Sequence, residues 1–159
     1  MVSETGEIRL NAAKRNFTVC TPRTESVTLE SGELAAGTLR VEKADCFQTV
    51  AAISLDGKAL PQSEKILVLH LTNVVNSGMV FDDNSFRLLR DWGGLPLLLR
   101  RGKAVIEMKS TADYRVEALS AVGEILGEVR GERQDGVFRF NADTGAFPGG
   151  VMAYQLRRR

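Results

Sequence analysis

The sequence is short of most of what an enzyme's reactive centre is built from. It holds one histidine, two cysteines, one tryptophan and two tyrosines in 159 residues, with only four prolines. No GxSxG, HExxH, P-loop or GxGxxG pattern occurs, which removes most hydrolase, metalloprotease and nucleotide-binding chemistry. Cys20 and Cys46 have neither metal-ligand spacing nor a CxxC arrangement, so two buried free thiols are expected in preference to a disulfide. Neither sign of charge dominates: 21 basic side chains face 20 acidic ones, and nothing in that balance points to nucleic acid. No apolar run reaches the roughly 18 residues of a membrane helix. His70 and Asn73 interrupt one candidate, Pro96 and Arg100 bound the other, and no membrane partner is expected. The opening MVSETGEIRL carries acids where a signal peptide would carry a basic region and an apolar core.

What the chain does have is glycine and period-two alternation. Fifteen glycines punctuate it, and the segments between them read as strands. Lys65–Thr72 is the clearest. Leu67, Leu69 and Leu71 share one face while Ile66, Val68, His70 and Thr72 share the other, which predicts a central strand covered on both sides. Thr49–Leu55 precedes it, with Asp56-Gly57 as the turn. Glu7–Leu10 and Asn16–Thr21 form a hairpin with Phe17 and Val19 inward; Thr24–Leu29 follows, then Thr38–Lys43 with Leu39 and Val41 inward. Asn73–Pro96 lacks a regular period. Leu97–Arg100 turns at Arg101-Gly102 into Lys103–Lys109; then come Tyr114–Leu119, Glu124–Val129, Val137–Asn141 and Val151–Leu156. The expected fold is all-β: an antiparallel, jelly-roll-like two-sheet β-sandwich of about twelve strands in one domain over residues 1–159.

His70, inside an apolar strand and without a nucleophile nearby in sequence, reads as a satisfied core histidine. Asp82, Asp83, Asp91, Glu107 and Glu117 are the carboxylates available to a glycosidase pair. Asp82, Asp83 and Asn84 offer hard oxygens for Ca²⁺, although the spaced ligands of an EF-hand loop are missing and a solvated turn accounts for them; no cofactor is expected. Sugar recognition needs an exposed aromatic ring with polar groups beside it. Trp92, in RDWGGLP, has Arg90 and Asp91 next to it and two glycines after it; it is either a loop platform or a cap on the core. Tyr114, Tyr154 and Phe81 are the further candidates.

The ordered pieces ETGEIRL, FTVCTPRTE, SLDGKALPQSEKILV, VNSGMVF and GGLPLLLRRGKAVIEM, with YRVEALSAVGEILGEV, together resemble one known domain. It is the C-terminal β-sandwich that follows the catalytic (β/α)₈ barrel in large bacterial glycoside-hydrolase-like proteins. The likeness runs from Thr5 to Leu156, and the family pattern is DTGEIxxD, FTVNTPRTQ, SLDGKPIxxSxxILL, ENTGMxW and GxxPxLxEPVxGxVxL. This chain departs from it at Cys20, at Phe81 where the pattern has a Trp-type aromatic, and at Leu99, Arg100 and Arg101 in place of an acid-Pro-Val run. None of these motifs is catalytic.

The resemblance implies a non-enzymatic accessory module excised from a larger protein. Its expected partners are a polysaccharide or oligosaccharide and a covalently linked catalytic domain, in a secreted or periplasmic parent. Carbohydrate binding through Trp92, Asp91, Arg90, Tyr114, Tyr154 and Phe81 is the leading expectation. A purely structural module packed on the barrel is the alternative, marked by an exposed apolar patch without an aromatic groove. A small stand-alone glycan-processing enzyme is the third.

Overall fold

The computed structural model describes residues 1–110 and 112–159. Among them the chain is all-β, with a single 3-10 turn at Leu60–Gln62 and no helix long and apolar enough to cross a membrane. The strands are β1 (Ile8–Asn11), β2 (Asn16–Cys20), β3 (Thr24–Leu29), β4 (Gly32–Ala35), β5 (Leu39–Ala44), β6 (Gln48–Ser54), β7 (Lys65–Leu71), β8 (Val74–Ser77), β9 (Val80–Phe81), β10 (Leu89–Asp91), β11 (Gly94–Leu99), β12 (Lys103–Lys109), β13 (Tyr114–Leu119), β14 (Ile125–Val129), β15 (Gly131–Gln134), β16 (Val137–Asp143) and β17 (Ala153–Arg158).

They form an eight-stranded antiparallel sheet, β1-β2-β3-β6-β7-β17-β13-β14, a five-stranded one, β15-β16-β12-β5-β4, and two two-stranded ribbons, β8-β11 and β9-β10. One hydrophobic cluster draws on both large sheets. Val27, Val50, Ile66, Val68 and Leu156 come from the first; Leu39, Val41, Ile106, Met108 and Phe138 from the second. Tyr114 of β13 meets Phe138 of β16 edge to face, with ring centroids 5.2 Å apart. At Asp135-Gly136 both residues have positive φ, 51° and 78°, as the two-residue hairpin from β15 to β16 demands.

Several expectations change. There are seventeen strands among the described residues, not about twelve. The five unforeseen ones are the short polar edges β4 and β15 and three strands of the irregular region, β8, β9 and β10. Leu97–Leu99 belongs to β11 and pairs with β8, so it makes no hairpin with β12. On β7 the Ile66, Val68 and His70 side is fully buried, but Leu67 and Leu69 are only half-buried and Leu71 is exposed. The strand is central yet packed on one face. In the first hairpin the inward residue is Thr18; Phe17 and Val19 lie on the opposite, half-buried face.

Candidate functional site, an apolar arm

Between β7 and β12 the chain runs out and back as an arm, residues 73–100, built from the two ribbons. Trp92 sits where β10 hands over to β11 and is 71% exposed. Its carbonyl accepts the Asn76 side-chain amide at 2.9 Å, and Gly93 N–H donates to Asp91 Oδ1 at 2.8 Å. Arg90 pairs with Asp82 across the β9-β10 ribbon. Phe81 meets Phe86 edge to face, centroids 5.0 Å apart. Trp92, Asp91, Arg90 and Phe81 therefore share one arm.

Tyr114 and Tyr154 do not join them. Both are buried. Tyr114 OH donates to Ser63 O at 2.8 Å, with Ser110 Oγ 2.9 Å away. Tyr154 OH accepts the Asp143 N–H at 3.1 Å, and burial pushes its pKa up to about 12. Each ring fills core while its hydroxyl ties down a distant loop, which leaves no face for a sugar.

The acidic loop is committed internally. Asp82 is held by Arg90; Asp83 Oδ1 accepts the Ser85 N–H at 2.7 Å, and hydrogen bonds from the Ser85 hydroxyl and then its N–H hold the Asp83 carboxyl below its usual pKa. Among the described residues no group of three or more His, Cys, Asp or Glu side chains is placed to hold a metal ion. Glu117 is buried near Arg115 and Arg157, at 3.5 and 3.9 Å. Cys20 is half-buried and Cys46 buried, both as free thiols whose pKa burial raises.

The sequence pattern missed the arm's aliphatic surface. Val74, Val80, Phe86, Leu88, Leu95, Leu97 and Leu98 are all exposed on the same arm as Trp92, Leu95 at 85%. Their presence in a stretch without period-two order was the available signal: apolar residues that alternate with nothing have no inner face to occupy. Chemically the arm offers van der Waals contact and two exposed aromatic side chains, Trp92 and Phe86, with no nucleophile-base pair.

Compared with protein-family models, curated proteins and solved structures, the chain matches none.

Proposed function

We propose that the chain is a non-catalytic, jelly-roll-like β-sandwich module of a carbohydrate-active enzyme, and that its arm packs against the enzyme's catalytic (β/α)₈ barrel. The observation that carries this reading is the arm's exposed apolar surface. Eight exposed apolar side chains, Trp92 among them, stand on this one arm. Aliphatic side chains suit a protein partner: a sugar presents hydroxyl groups that leucine leaves unpaired. The barrel as partner rests on the resemblance, whose VNSGMVF and GGLPLLL segments are themselves arm segments.

A second reading, glycan stacking on Trp92, is favoured by that ring's exposure next to Arg90 and Asp91. Two measurements separate them. Sedimentation with a barrel-type glycoside hydrolase as a separate polypeptide should show a complex that Leu95→Ser with Leu97→Ser abolishes; no complex would remove the docking reading. Isothermal titration against plant polysaccharides should show no heat that Trp92→Ala removes. Heat lost in that variant would transfer the arm to sugar.

A further inference from the structure

The inner face of the eight-stranded sheet changes character at β2. On β3 it belongs to the core, with Val27 and Leu29 buried. In register with Val27 stand Thr18 on β2 and Arg9 on β1, and beside them Asn16 pairs with Asn11. A face that stayed in the core would remain apolar. β4 is the edge of the five-stranded sheet and meets the eight-stranded one at β3, two strands in from β1.

An open cleft of about 790 Å³ results, within the usual size for a small-ligand site. Its floor is polar, with Arg9, Asn11, Asn16 and Thr18, and its wall is the apolar segment Leu34, Ala35, Ala36. Arg9 enters no ion pair among the described residues. Asn11 Oδ1 accepts the Lys14 N–H at 3.1 Å, which leaves the Asn11 amide free to donate. Lys14 adds a second positive charge to the cleft, and the Glu7 carboxylate is engaged by Thr5 Oγ1 at 3.0 Å.

We propose that this cleft binds an acidic oligosaccharide. The carboxylate of a uronic-acid unit meets the Arg9 guanidinium, whose planar fork fits two carboxylate oxygens. Asn11, Asn16 and Thr18 bond ring hydroxyls, and the C–H face of the ring lies on Leu34 and Ala36. Arg9 and Lys14 stand against the single Glu7 carboxylate in the lining, and that positive balance favours an anionic sugar over a neutral one. The site is separate from the arm and stands whether or not the arm docks on a barrel.

Isothermal titration of the whole chain with short oligogalacturonides tests it, with cellopentaose and inorganic phosphate as the comparison ligands. The oligogalacturonide should bind with an affinity that falls as salt rises. Arg9→Ala should weaken it by about tenfold or more, and Arg9→Lys should recover part of that loss. Asn16→Ala should weaken it less, and Trp92→Ala should not change it. Circular dichroism should show each variant folded; for Arg9 the exposure of β1 leads one to expect it. No binding at millimolar oligogalacturonide, equal binding of cellopentaose or phosphate, or an affinity that neither Arg9→Ala nor Asn16→Ala changes would each overturn the proposal.

Discussion

The Glu25 carboxylate on β3 accepts the Leu39 backbone N–H on β5 at 2.7 Å, a bond from one large sheet to the other. The same carboxylate takes the N–H groups of Gly37, at 3.0 Å, and Thr38, at 2.7 Å. Glu25 is only 4% exposed, so these donors stand in for water. Glu25→Ala should therefore cost about 3 kcal/mol in urea denaturation, because it strands buried donors. Glu25→Gln keeps one oxygen for the same three amides and should cost visibly less. Equal losses would show that the charge contributes nothing.

His70 links stability to pH. Gln48 Nε2 donates to Cys46 O at 3.1 Å and to Lys103 O at 3.3 Å, so Gln48 Oε1 is left to accept from His70 Nε2. That bond fixes the proton on Nε2 and leaves Nδ1 as a buried lone pair without a partner among the described residues. A second proton would create a charge and an unpaired donor in the core. Burial accordingly lowers the His70 pKa to about 4, against the smaller upward pull of Asp45 and Asp143. In the unfolded chain histidine titrates near 6.5, so between about 6.5 and 4 the unfolded state binds more protons. Stability contributed by neutral His70 is complete above that window and lost as pH falls through it, by up to about 3 kcal/mol. Urea midpoints measured across this range should slope steeply in the wild type and less in His70→Gln. Identical slopes would assign the acid loss to carboxylates.

How much of this was legible follows from where alternation exists. β7, β12 and β16 each bury every second residue, and a strand with one face in the core writes that period into its sequence. The arm writes no such period, because β11 is exposed on both faces for most of its length. At β2 the strand was legible but its orientation was not. Assigning apolar residues inward fails there, because Thr18 is the buried residue and Phe17 only half-buried. Trp92 was readable as a loop residue from Gly93 and Gly94, whereas the burial of Tyr114 and Tyr154 depends on hydroxyl partners contributed by Ser63 and Asp143 from elsewhere in the chain.

Gly93 is the arm's pivot. Its φ is +61°, and a methyl group there would run into the backbone of Ser77, Gly78 and Met79. Nothing flexible can move aside, so Gly93→Ala should deform the arm and leave the body intact. Limited proteolysis should then cut within residues 73–100 faster than in the wild type, with the melting temperature nearly unchanged. A fall in melting temperature as large as that of a core variant would mean that arm and body fold as one unit.

The arm's leucines should be dispensable for folding, and that separates a docking surface from a misplaced piece of core. Leu95 and Leu97 are 85% and 58% exposed, so replacing both by serine removes little buried area and should change stability by less than about 0.5 kcal/mol per site. Ile106, fully buried on β12, provides the contrast: Ile106→Ala should cost about 3 kcal/mol through lost burial and the cavity left behind. Binding of a hydrophobic dye and concentration-dependent self-association should move the opposite way, falling in the Leu95/Leu97 variant at unchanged stability. If the double serine variant instead destabilises the chain as Ile106→Ala does, the arm packs onto the body in solution and its apolar surface belongs to the fold.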